Sequence, residues 1–182
     1  MISLPNFLSF ARLLSVPVII WLLIDRALAA AFWLFVAAGV TDALDGFLAK
    51  RFNSRTELGS YLDPLADKAL LVGVYVTLGW TGDLPVWLVI LVVFRDLTIV
   101  GGALLEQTIT QSFKSRPMML SKVNTAVQIG LAALVLARLG LDFDDFGLTT
   151  ALVYAAGATT VASGLTYLVY FTRRLGKVET PP

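Results

Sequence analysis

Four aspartates stand in two pairs between Asp42 and Lys68: Asp42 with Asp45, and Asp63 with Asp67. Each pair lies where a strongly apolar run ends or begins. A carboxylate at a membrane boundary is costly unless it is paired, solvated or bound to a cation. Asp42 and Asp45 are three apart and Asp63 and Asp67 four apart, so on helices each pair shares one face, with Ala49 on the first face as well. Two such helices facing each other would aim four carboxylates into one small space. Like charges that close resist joint ionisation. A divalent cation removes that repulsion, and hard oxygen ligands suit Mg2+, Mn2+ or Ca2+. Gly46 and Gly59 add no side chains, so a bulky ligand can approach the backbone there. The plainer alternative is helix capping, with Asp63 as N-cap and Pro64 at the first helical position. It accounts for one acid and leaves the other three unexplained.

The elements that must position these acids are apolar. Of 182 residues, 57% are hydrophobic and 15% charged, and the mean hydropathy is +0.79. Soluble domains carry nearer a quarter charged residues, so the composition predicts an integral membrane protein. There is no cysteine and no histidine. Thiolate chemistry, disulfides and imidazole ligands are therefore excluded, and proton transfer falls to carboxylates, lysine, tyrosine or water. A net charge of +1 offers nucleic acid no general attraction.

Six runs are each long enough to span the bilayer as helices: Phe7–Ile24, Ala27–Leu48, Ser60–Trp80, Pro85–Leu105, Met118–Leu139 and Leu148–Thr172. The expected fold is all-α, a single polytopic transmembrane domain over residues 1–182 with six transmembrane helices. Lys50, Arg51 and Arg55 follow the second run, Lys114 and Arg116 the fourth, and Arg173, Arg174 and Lys177 the sixth. The positive-inside rule then puts both termini and the aspartate cluster on the cytoplasmic side. The first apolar run leads straight into further membrane segments and no transit peptide stands out, which favours a bacterial inner membrane.

Other polar residues interrupt the apolar runs. Arg12 lies near the cytoplasmic end of the first, where it either snorkels to headgroups or contacts a bound phosphate. Pro17 is read as a kink. Asn6, just before the first run, reads from its position as an N-cap. Arg95-Asp96 interrupts the fourth run, as a buried ion pair or as a receptor for an anionic headgroup. Gly101-Gly102 allows close helix packing, and so do the small residues of the sixth run. Lys114 and Arg116 suit an anionic membrane surface. Lys122, Thr125 and Gln128 recur at helical spacing as a polar stripe, for which interhelical hydrogen bonding is the plain reading.

The spacing Asp42-x2-Asp45-Gly46-x2-Ala49-Lys50-x8-Gly59-x3-Asp63-x3-Asp67 resembles the signature of the CDP-alcohol phosphotransferases. Seven of the eight fixed positions match. The eighth, Lys50, stands where the family usually has arginine; it keeps the charge and loses the bidentate fork, and Arg51 follows it. Within the family, the chain from Asn6 to the fifth run is most similar to the cardiolipin synthases, and the phosphatidylglycerophosphate synthases share much of the pattern. The resemblance implies transfer of a phosphatidyl group from CDP-diacylglycerol to phosphatidylglycerol, or alternatively to glycerol 3-phosphate, with CMP leaving. It implies two divalent ions, Mg2+ or Mn2+, held by Asp42, Asp45, Asp63 and Asp67, with Asp67 as general base. It places CDP against Asn6, Asp42, Gly46, Ala49, Lys50, Arg51 and Gly59, and it implies a homodimer among membrane lipids. Candidates to receive the acceptor are Arg12, Arg95, Lys114, Arg116 and Lys122. A reading of another class is a cation transporter or channel. Against it, the acids cluster at one boundary and are not strung along a pathway through the bilayer.

Overall fold

A computed structural model describes residues 4–52, 57–110 and 119–175, with side chains described for 10–44, 65–102 and 119–172. All regular structure among them is helical. The helices are α1 (Leu4–Ile24), α2 (Leu28–Phe52), α3 (Glu57–Trp80), α4 (Val86–Thr110), α5 (Met119–Leu141) and α6 (Leu148–Leu175). By length and composition, α5 and residues 148–172 of α6 are apolar enough to cross a membrane. Large side chains such as Trp21, Trp33, Ile90, Phe94 and Leu165 stand exposed on helix faces, an arrangement that suits a hydrocarbon solvent.

The apolar runs locate the helices well, and the ends differ in ways that matter. α2 continues past Leu48 to Phe52, so Lys50 and Arg51 lie on the helix and not in a loop. α3 begins at Glu57. Asp63 and Pro64 are therefore internal to it, and the capping alternative for Asp63 is overturned. α1 begins at Leu4 and runs through Pro17, so Asn6 lies inside its first turn and is not an N-cap. Lys114 and Arg116 fall outside the described residues.

The chain divides into two compact units, one of Met1–Pro85 with Ala132–Phe146, the other of Val86–Leu131 with Gly147–Pro182. In the first, α1 packs against both α2 and α3. Each helix supplies an apolar stripe at helical spacing: Ile19 and Leu23 on α1; Ala31, Phe35 and Ala38 on α2; Leu70, Leu71, Val74 and Leu78 on α3, all buried. Gly73 lets α1 come close, since a Cβ there would meet Ile20 Cδ1 at 3.1 Å and Val16 Cγ1 at 3.3 Å. Gly140 does the same between α5 and the start of α2, where a Cβ would lie 2.9 Å from the Leu28 carbonyl oxygen.

The α1–α2 and α3–α4 turns are built alike. Arg26 and Gly82 take left-handed conformations, with φ of 59° and 80°. The Ala27 N–H bonds the Leu22 carbonyl at 2.9 Å, and the Asp83 N–H bonds the Leu78 carbonyl at 2.8 Å. Both are Schellman caps. Arg26 then ties the two turns together, donating to Asp83 Oδ2 at 2.9 Å and to the Thr81 carbonyl at 3.2 Å.

Candidate active site

The three stripes of the first unit all turn polar at the same end of the core. Arg12 stands seven residues before Ile19 on α1, Asp42 four after Ala38 on α2, and Asp67 three before Leu70 on α3. At 3.6 residues per turn, each lies on the face that its helix buries. Arg12, Asp42 and Asp67 are thus the polar continuation of a three-helix apolar core.

They meet. Arg12 Nη1 lies 2.8 Å from Asp42 Oδ1 and 2.6 Å from Asp67 Oδ1. The arginine side chain is 1% exposed, while those of Asp42 and Asp67 are 46% and 48% exposed. A guanidinium this deeply buried costs several kcal/mol unless it is paired, and one nitrogen is paired twice. The other two are not. Arg12 Nε and Nη2 are buried and have no hydrogen-bond partner among the described residues, and each unmet donor costs about 1–3 kcal/mol. The two carboxylates are half-exposed on one side and engaged by Arg12 on the other.

This geometry fits a divalent cation. Two carboxylate oxygens already converge on a single positive centre, and the donors are hard oxygens of the kind Mg2+ and Mn2+ take. Among the described residues no group of three acids is gathered. Asp45 stands three residues further along α2 and Asp63 four residues back along α3, and the side chains of both lie outside the described set. So do those of Asn6, Gly46, Ala49, Lys50, Arg51 and Gly59.

The second unit holds polar groups of a different kind. Arg95 is buried on α4 and all three of its nitrogens have partners. Nη1 donates to Asp96 Oδ1 at 2.7 Å, Nη2 to Ser121 Oγ at 2.5 Å and Ser163 Oγ at 2.8 Å, and Nε to Ser163 Oγ at 3.3 Å. Below it, Asn124 Oδ1 accepts from Thr159 at 2.8 Å and Thr160 at 3.0 Å, and Gln128 Nε2 donates to Thr160 Oγ1 at 3.1 Å. The inward polar stripe of α5 is therefore Ser121, Asn124 and Gln128, of which Asn124 and Gln128 are buried. The sequence reading had Lys122 and Thr125 with Gln128; Lys122 is exposed, and the Thr125 hydroxyl bonds back to the Ser121 carbonyl at 3.0 Å. The signal that separates the two stripes is their phase with the apolar Leu131 and Val135, both fully buried.

Of the residues singled out from sequence, Arg12, Asp42 and Asp67 are brought together, and Arg95 and Lys122 belong to the other unit. The pairing of Arg12 with the acids was not foreseen. Residues 2–162 match a family profile described as CDP-alcohol phosphatidyltransferase. A human cardiolipin synthase (CMP-forming) is 35% identical over 92% of this chain and 61% of its own length. A chloroplastic CDP-diacylglycerol–glycerol-3-phosphate 3-phosphatidyltransferase of Oryza sativa subsp. japonica is 35% identical over 91% of this chain and 56% of its own. The Bacillus subtilis (strain 168) enzyme of the same description is 29% identical over 92% of this chain and 94% of its own. The chain spans 31–61% of the length of the cardiolipin synthases and the rice enzyme that it matches. With the profile covering most of its residues and the Asp42 and Asp67 carboxylates meeting at one point, the chain belongs to the CDP-alcohol phosphatidyltransferase family.

Proposed function

We propose that the chain transfers a phosphatidyl group from CDP-diacylglycerol to the hydroxyl of phosphatidylglycerol, giving cardiolipin and CMP. The observation that carries this reading is the meeting of Asp42 and Asp67 at the polar end of the α1–α3 core. It is supported by the 35% identity to human cardiolipin synthase across nearly the whole of this chain.

In this reading Asp42, Asp45, Asp63 and Asp67 hold two divalent ions, Mg2+ or Mn2+. Bound there, the ions supply charge neutralisation for the diphosphate and make its phosphorus more electrophilic. Lys50 or Arg51 on α2 meets phosphate oxygens, Asn6 stands at the nucleotide, and Gly46, Ala49 and Gly59 leave room for the cytidine and its ribose. The acceptor oxygen attacks the phosphorus that carries diacylglycerol, and a new P–O bond forms. The P–O bond to CMP breaks, with its electron pair leaving on CMP. Asp67 takes the proton from the attacking hydroxyl. No serine or cysteine nucleophile takes part. The six helices cross the membrane with both termini in the cytoplasm, which puts the acids where soluble nucleotide and metal are found. The setting is a bacterial inner membrane, the chain pairs as a homodimer, and the donor's acyl chains stay in the bilayer.

A second acceptor has its own observation. The chain aligns along 94% of the B. subtilis glycerol-3-phosphate enzyme, so glycerol 3-phosphate is the alternative. Purified protein in detergent, given CDP-diacylglycerol and Mn2+, decides between them when the two acceptors are supplied separately. Cardiolipin formed only with phosphatidylglycerol is the expected result. Phosphatidylglycerophosphate formed only with glycerol 3-phosphate moves the acceptor and leaves the donor, metals and base in place. Cation flux in liposomes with no CMP released would put the chain among transporters.

A further inference from the structure

Arg12 is placed unlike a structural arginine. One nitrogen is shared between Asp42 and Asp67, while Nε and Nη2 are buried and unmet among the described residues. A guanidinium kept only for packing has its donors used, as Arg95 does with Asp96, Ser121 and Ser163. Arg12 Nη1 also occupies the point on which the two carboxylates converge, so it and a divalent ion compete for the same oxygens. A metal held by those oxygens must displace at least part of that contact. The freed guanidinium stays anchored by α1, beside the acids and already stripped of water. Unmet N–H donors on a planar fork suit a phosphate, whose oxygens they meet two at a time.

We propose that Arg12 is an exchangeable internal counter-cation: it holds Asp42 and Asp67 while no divalent ion is bound, yields them to the metal, and then offers its guanidinium to a phosphate oxygen. The proposal rests on the reading of the acids as a metal site. It gives α1 two tasks in sequence. Before loading, Arg12 keeps two like charges together at the end of an apolar core. After loading, it makes the site ready for an anion only once the metal has arrived, so the two ligands are coupled through one side chain. The phosphate belongs either to the nucleotide diphosphate or to a phosphorylated acceptor, and the two are separable by probe.

The test is Mn2+ binding to nucleotide-free protein in detergent, followed by electron paramagnetic resonance, for the native chain and Arg12→Met. Loss of a competing charge-assisted contact is expected to tighten Mn2+ by about tenfold or more. At saturating Mn2+ the same variant is expected to bind either CDP or glycerol 3-phosphate at least about tenfold more weakly; which of the two weakens identifies the phosphate. Damage to packing would weaken metal and phosphate together, so movement in opposite directions is the signature. Unchanged or weaker Mn2+ binding by a folded Arg12→Met, or full retention of both CDP and glycerol 3-phosphate, overturns the proposal. Should that variant not fold, the guanidinium 15N resonances of the native chain answer the question: Mg2+ is expected to shift those of Arg12, and unchanged resonances at Mg2+ saturation overturn it. Asp42→Asn and Asp67→Asn separate the two layers. Native Mn2+ affinity in both removes the metal site itself. Loss of Mn2+ in both, beside an Arg12→Met that binds like native, removes only the exchange.

Discussion

Two buried arginines, Arg12 and Arg95, sit among polar groups in different units, and their surroundings are opposites. Arg95 has every nitrogen engaged, by an adjacent aspartate and by serines from α5 and α6. Arg12 spends one nitrogen on two half-exposed acids and leaves two without partners among the described residues. A saturated buried charge has no capacity left for a ligand, and its worth is the integrity of the helices around it. An unsaturated one beside exposed carboxylates is tolerated only where something else completes it. Burial of a charge alone does not mark a functional site; what sets Arg12 apart is unmet hydrogen-bonding capacity beside half-exposed carboxylates.

Substitutions sharpen that contrast. Arg95→Met takes the guanidinium from the buried Asp96, so a loss of about 3–5 kcal/mol is expected in a reversible denaturant titration in detergent. Added Mn2+ is expected not to restore it. Arg12→Met is expected to cost the metal-free protein less, about 1–2 kcal/mol, because Asp42 and Asp67 are near half-exposed and water screens them. Here Mn2+ is expected to restore stability. Equal responses of the two variants to Mn2+ would erase the distinction between them. Asn124→Leu removes the acceptor shared by Thr159 and Thr160, and about 1 kcal/mol is expected, the usual net worth of a hydrogen bond between side chains. The smallest effect is expected at Arg26→Ala. Its side chain is 51% exposed, and such pairs contribute at most about 1 kcal/mol. A large loss there would mean that the two Schellman turns depend on their bridge.

Much of this was legible in the sequence. Long apolar runs bounded by charge locate the six helices among the described residues, because about twenty apolar residues in a row favour a structure that pairs its backbone within itself. The two aspartate pairs announce themselves by spacing. What spacing cannot tell is which groups meet across helices. Arg12 lies thirty residues before Asp42, and only the packing of α1 against α2 and α3 brings it to the acids. The clue was its phase with Ile19 and Leu23, which marks it as inward-facing and not as a snorkelling side chain. The polar stripe of α5 was misjudged for the same reason. Lys122 is the more conspicuous charge, yet Asn124 is the residue in register with the buried face. Helix ends were misjudged where charged residues continue a helix, as Lys50 and Arg51 do on α2.

The most direct measurement is CMP release from CDP-diacylglycerol by the native chain and Asp67→Asn, with Mn2+ and phosphatidylglycerol present and donor binding measured beside it. Asparagine keeps the shape and removes both the proposed proton acceptor and one proposed metal-ligand charge. Release is expected to fall by roughly 10²–10⁴-fold, with CDP-diacylglycerol still bound. Near-native turnover by Asp67→Asn would contradict the account, because the acid on which α1, α2 and α3 converge would then have no part in the reaction.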